Sequence, residues 1–185
     1  MGAKVAIETS FKKLVMRMPY DKITVAEICR EAHLSRKTFY ANFQDKEAVF
    51  ASMFERDAIG PMRTLNETLT FEQAKSISHV FTENLYAYFE REKDFYSRLV
   101  KPMFGIDDTF IRVVTRAMYK LDREIMLDFN MGTDLQEDYM AYFFASSQAM
   151  FCQKWIADGM PMTPKQLAEL YHKMTGSFWL SLPSR

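Results

Sequence analysis

The chain has 185 residues with 24 Lys and Arg against 24 Asp and Glu, so its net charge is zero, which excludes a polyelectrolyte that attracts nucleic acid over its whole surface. A composition 48% hydrophobic and 15% aromatic supplies a core for one large or two small domains, whereas only six Gly and six Pro exclude disorder and a turn-rich all-β chain. The charge is uneven: residues 1–47 carry nine basic and six acidic side chains, a net of +3, and the remainder carries −3. A mildly basic head on a mildly acidic body admits a polyanion at the N-terminal end.

In chain order the pattern is helical almost throughout. Ile7, Phe11, Leu14, Val15 and Met18 recur at steps of three and four, and Pro19 closes that helix. In "ITVAEICREA", Thr24 and Glu27 form a capping box that opens the next helix. Ser35 caps a short helix over 36–43, and Asp45 caps a helix over 46–59 that is expected to stop at Gly60-Pro61. Thr70 and Gln73 open a helix expected to run unbroken through "FEQAKSISHVFTENLYAYFEREK". A shorter one covers "DFYSRLV" and ends before Pro102; Asp107 or Asp108 opens "TFIRVVTRAMYKLDREIMLDF". Thr133 with Gln136 opens the helix 134–157, and Thr163, Pro164 and Gln166 open the last. The count is about nine helices and no strand. The fold class is therefore all-α: a three-helix N-terminal unit (1–47), a linking helix (46–59) and a C-terminal helical bundle (48–185).

The segments 25–32 and 36–43, joined by "HLS", form a helix-turn-helix. His33 is expected at the left-handed position after the first of them, with Leu34 packing back towards Cys29. On a wheel at 100° per residue, Phe39 and Phe43 define the inner face, Lys37 and Ala41 lie opposite, and Thr38 and Tyr40 flank them. Cations for phosphates, hydroxyls for phosphates or base edges, and a bare Ala41 methyl suit a helix entering a major groove. A solvated helix on a small bundle shows the same periodicity, so the pattern alone leaves both readings open.

"ITVAEI", "SRKTFYANF" and "DKEAVF", in this order and spacing, resemble the DNA-binding region of the tetracycline-repressor (TetR) family of bacterial transcriptional regulators, from about residue 8 to residue 54. The resemblance implies a homodimer on a near-palindromic double-stranded DNA operator, acting as a ligand-responsive repressor in the cytoplasm. It places DNA contacts on Thr24, Ser35, Arg36, Lys37, Thr38, Tyr40, Asn42 and Lys46. Thr24, Tyr40 and Lys46 are expected to grip phosphates, and Lys37 and Thr38 to reach base edges. Two positions depart from the family pattern: His33 replaces the usual small Gly, and Asn42 stands where His is frequent. "FYSRLV" and "WIADGMPMTPKQLAELY" resemble the C-terminal domains of a subgroup that includes activators and repressors of small-metabolite operons.

In the body, the helix 135–156 is apolar nearly all round and demands cover on more than one face. With the final helix, which contributes Leu167, Leu170, Tyr171, Met174 and Phe178, it is the expected homodimer surface, with Ala145, Ser146 and Ala149 allowing close approach. A pocket for an unspecified small-molecule effector is expected among the helices between 71 and 151, lined by His79, Phe81, Phe89, Tyr96, Met118, Tyr119 and Gln148, with Tyr86, Met103 and Phe104 as further candidates. Each of these is also an ordinary core residue by its spacing.

Other classes find little in the sequence. A helical enzyme would rest on the single pair Glu169 and His172, whereas a di-iron bundle needs two such pairs and two further carboxylates. No cofactor or metal is expected. A protein-binding adaptor using the same N-terminal face is distinguished by salt, which weakens phosphate contacts steeply and apolar contacts little. Cys29 and Cys152 are expected as buried thiols. Ser146, Ser147, Gln148, Gln153 and Lys154 interrupt the most apolar tract, so no membrane span is expected.

Overall fold

Seven of the eleven described α-helices begin where a side-chain oxygen takes up an unpaired N–H group of the first turn. The computed structural model describes residues 2–100 and 108–181, with side chains through residue 176. Its α-helices are α1 (Ala3–Arg17), α2 (Val25–Ala32), α3 (Arg36–Tyr40), α4 (Lys46–Phe54), α5 (Gly60–Asn66), α6 (Phe71–Ser76), α7 (Ser78–Arg91), α8 (Lys93–Leu99), α9 (Thr109–Phe129), α10 (Asp134–Ala157) and α11 (Pro164–Ser181). No strand occurs among the described residues. Thr24, Thr70 and Thr133 each close a reciprocal capping box with the residue three places on. Ser35, Asp45 and Asp108 accept from Thr38, Ala48 and Phe110 N–H. Each such cap contributes about 1 kcal/mol.

Two expected boundaries are corrected. Gly60-Pro61 does not end the helix that starts at Lys46; it continues to Asn66 through a π-helical stretch, Glu55–Ile59. There Gly60 N–H reaches five residues back to Glu55 C=O. Pro61 has no N–H and its ring crowds the carbonyl four residues earlier, and a widened turn absorbs both defects. Conversely, the helix expected to run unbroken from 71 is interrupted at Ile77 (φ −107°, ψ 12°), which separates α6 from α7. Met103, Phe104 and Asp107, and the Phe178 side chain, lie outside what is described.

The head is built on α1 to α3. Ile7, Phe11, Ile23, Ile28 and Phe39 are at most 1% exposed and Phe43 is 6% exposed, so the short α3 is held from behind. The same apolar core runs without a break into the body. Phe95 of α8 packs edge-on against Phe11 of α1 and Phe50 of α4, at 6.2 and 6.4 Å between centroids. Buried Glu8 of α1 accepts from Ser52 at 2.9 Å and pairs with Arg56. Arg112 of α9 reaches Glu47, in the first turn of α4, at 2.7 Å.

In the body, α9 and α10 form a helical hairpin whose turn uses Asn130 in the left-handed region (φ 50°). Ala141, Ala145, Ala149 and Cys152 on α10 are fully buried. Ala145 and Ala149 therefore let α10 close on its own domain, not on a second subunit; only Ser146 of the expected small-residue set is partly exposed. Cys29 is also buried, and both thiols are unpaired. No helix among the described residues is long and apolar enough to cross a membrane.

Candidate nucleic-acid interface

The local chemistry of the helix-turn-helix starts at its caps. Thr24 N–H and hydroxyl both donate to the Glu27 carboxylate, at 2.7 and 2.9 Å, and Glu27 N–H donates back to Thr24 Oγ1. These bonds, the backbone one first, hold the exposed Glu27 carboxyl below its ordinary range. α2 ends at His33 (φ 53°, ψ 41°), and Leu34 N–H donates 2.9 Å to Cys29 C=O, which turns the chain into α3. Ser35 Oγ accepts from Thr38 N–H at 3.1 Å and lies 2.9 Å from the Thr38 hydroxyl. The caps thus occupy the third N–H of each helix, and the first two stay directed outward as dipole-backed donors.

The side chains of α3 then sort by face. Phe39 is fully buried, and the Tyr40 ring stands edge-on against it at 5.5 Å while remaining 58% exposed. Arg36 and Lys37 are exposed, and Thr38 is partly so. Regular α-helix ends at Tyr40, earlier than the expected 43, but Asn42 and Phe43 N–H still bond back to Phe39 C=O. Asn42 Nδ2 donates to Thr38 C=O at 2.8 Å, which braces that last turn. One exposed cation absent from the expected set, Lys4 of α1, lies 5.9 Å over the Phe43 ring at the end of the same surface.

Lys46 has a different placement from the expected phosphate grip. Its ammonium donates 2.8 Å to Tyr20 C=O and 2.9 Å to Ile23 C=O, and lies 4.1 Å from the Tyr20 ring centroid. Two carbonyls of the turn before α2 and a ring face draw the charge inward, so Lys46 ties α4 to the head.

The expected effector residues divide in the same way. A cavity of about 90 Å³, open to solvent on one side, lies among α5, α6, α7, α9, α10 and α11. Phe81, Met118 and Gln148 line it. Phe89 and Tyr96 do not: they are buried in an aromatic cluster with Phe54 and Phe110, and the Tyr96 hydroxyl bonds to Tyr88 at 2.8 Å. Tyr86 is fully buried beside Trp155. Tyr119 turns away to bond Asp138, and exposed His79 stands edge-on to the ring of His172. His172 sits on the cavity rim with Thr82, while Glu169 of the same helix is exposed. Asp122, which the sequence reading passed over, also lines the cavity. Its signal is a carboxylate inside the apolar stripe Val114, Met118, Leu121 and Ile125.

A helix-turn-helix braced by buried rings, presenting basic and hydroxyl groups outward from a hollow helical body, defines a transcriptional regulator. Residues 12–53 match the family described as bacterial regulatory proteins, tetR family, and residues 78–177 match a transcriptional regulator C-terminal region of the same family. The chain belongs to the TetR family of bacterial transcriptional regulators. No curated protein matches it significantly. Among solved structures it is similar to a protein from Syntrophomonas wolfei assigned to the TetR family (15% identity, 98% of this chain and 96% of that one, TM-score 0.66). It is also similar to the dihydroxyacetone kinase operon activator DhaS (20%, 98% and 98%, 0.58). A third is NalD, the secondary repressor of the MexAB-OprM multidrug efflux pump in Pseudomonas aeruginosa (14%, 95% and 94%, 0.58). At these identities the likeness concerns the fold.

Proposed function

We propose that the protein is a cytoplasmic homodimer that binds a near-palindromic operator through α3 and releases it when a small molecule fills the body cavity, which makes it a repressor. The observation that carries the reading is the exposed row Arg36, Lys37 and Tyr40 on a helix whose opposite side, Phe39 and Phe43, is closed into the core. Lys37 and Thr38 reach for base edges; Thr24, Ser35, Arg36, Tyr40 and Asn42 hold the backbone, and Lys46 braces the head from behind. The outer faces of α10 and α11 pair two subunits, so that two copies of α3 enter successive major grooves about 34–36 Å apart. The body acts on the head through α4, because a ligand that prefers one head spacing shifts the population and with it the DNA affinity.

The test is selection of a binding duplex from a random library, followed by fluorescence anisotropy across a salt series. The expected result is a two-fold symmetric site and a log–log slope of about −0.9 per phosphate neutralised. A protein that selects no sequence and binds duplexes without salt dependence is not a DNA reader. In that case the same face is a protein-docking surface.

A further inference from the structure

Three oxygens on the body cavity are buried without a hydrogen-bond partner. Asp122 stands on α9 among residues that face the core, and its Oδ2 is shut off from solvent without a hydrogen-bond partner. Asn66 Oδ1 and Gln148 Oε1, also on the cavity, are buried and unpartnered in the same way. The two amide oxygens are acceptors, and Asp122 is one when ionised. A buried polar group left unmet costs about 1–3 kcal/mol, so three around one space specify a complement made of donors. Two nearby hydroxyls are engaged elsewhere: Thr82 with Ser78 C=O and His172, and Tyr171 with Ser147. Phe71, Phe81, Phe129 and Phe144 line the rest, and ring faces attract cations.

The other titratable groups facing this space are Lys75 of α6 and His172 and Tyr171 of α11. Neither Lys75 nor His172 forms an ion pair with Asp122, and burial, then His79, pushes His172 down towards its neutral form. We propose that the cavity takes a small lipophilic amine, with the ammonium seated on Asp122 and the apolar part among the Phe and Met side chains. The assignment rests on the ligand-responsive reading and gives its effector a class. A carboxylate of equal length would leave the amide acceptors unmet and could form no ion pair with Asp122, whose buried carboxyl gives up its proton only to an amine seated on it.

The experiment is calorimetry on the full chain with octylamine, octan-1-ol and octanoate below their aggregation limits, for the parent and Asp122→Asn. The parent is expected to bind the amine at least about tenfold tighter than the alcohol or the acid, a difference of about 1.4 kcal/mol. In Asp122→Asn the amine loses that advantage while the alcohol is unchanged. Equal binding of the three compounds by the parent overturns the assignment, as does amine binding that survives the substitution or no binding of any of them. The parent's selectivity decides by itself if Asp122→Asn does not fold. Anisotropy on the selected duplex separates the two readings: amine binding that needs Asp122 but leaves duplex affinity unmoved upholds the site and removes the ligand-responsive function.

Discussion

Lys37 and Lys46 are both basic residues of the head, and their surroundings give them opposite roles. Lys37 is exposed, so Lys37→Ala is expected to leave thermal stability unchanged, weaken operator binding about tenfold or more, and relax the preference at the base pair it reads. Tyr40→Ala is expected to weaken binding uniformly across sequences with the salt slope unchanged, because its hydroxyl carries no charge, and to keep the fold, since its ring is 58% exposed and Phe39 keeps the core filled. If both variants bind the operator as well as the parent, the assigned face is wrong. Lys46→Ala, by contrast, strips two backbone carbonyls of a charged donor and is expected to destabilise the fold by about 1.5–3 kcal/mol in a chemical denaturation series. The sequence shows that both residues are cations near a turn; it does not show the carbonyls of Tyr20 and Ile23 that capture one of them, because that pairing spans more than twenty residues. Asp122 carries a pH prediction. Burial pushes its carboxyl up to about 8 from 3.8, so between those values the folded chain holds a proton that the unfolded chain has lost. The contribution of Asp122 to stability is therefore expected to be full below about pH 4 and to fall as pH rises to about 8, at about 1.4 kcal/mol per pH unit at most. Lys75, His172 and Tyr171 face the same space, so the measurement is the difference in melting temperature between parent and Asp122→Asn across pH 5 to 9. The gap should widen in favour of Asn as pH rises; a constant gap would show that the carboxyl ionises normally.

At the scale of elements, what was legible in the sequence is what is local. The boxes Thr24/Glu27, Thr70/Gln73 and Thr133/Gln136 sit where spacing alone put them, because a cap needs only three residues of context. His33 takes the left-handed turn for the same reason. The break at Ile77 has neither Gly nor Pro to announce it; beyond it α7 packs on α11, while Phe71, Ala74 and Lys75 of α6 line the cavity. Gly60-Pro61 misleads in the other direction, since a stop signal is overridden when the helix has core on both sides: Ala58, Ile59 and Met62 are all buried. If the proline is the cause of the widened turn, Pro61→Ala restores an N–H for the Asp57 carbonyl, and the stretch 55–59 returns to α-helical pairing. Hydrogen exchange is expected to slow at residues 57–62, with a gain of about 1 kcal/mol in stability. Unchanged protection there would mean that tertiary packing, not the proline, holds the π turn open.

The whole molecule leaves one large demand unmet within a single chain. On α10, Leu135, Tyr139, Tyr142, Phe143 and Met150 are 54–70% exposed, and Leu170 and Met174 on α11 are 39% and 63% exposed. Spaced by three, four and seven, those on α10 form one stripe, opposite the buried Ala141, Ala145, Ala149 and Cys152. The all-round apolarity seen in the sequence is thus two faces with two partners. Only the inner one is satisfied here, by α9 and its neighbours. Contiguous apolar surface of this kind marks an interaction site, and the proposed two-fold pairing of α10 and α11 would cover it with a copy of itself, as a four-helix interface. Stable interfaces bury upwards of about 1,200 Å² in total, and a charge set at the centre of such a patch is left unpaired and desolvated on association. Phe143→Glu is therefore expected to give a folded monomer by sedimentation equilibrium at micromolar concentration, with helix content unchanged because Phe143 fills no part of the core. Operator affinity is expected to fall by two orders of magnitude or more, since each α3 then binds alone and the advantage of a tethered second half-site is lost. A parent that sediments as a monomer, or a Phe143→Glu dimer that still holds the operator, would place the subunit contact elsewhere on the body.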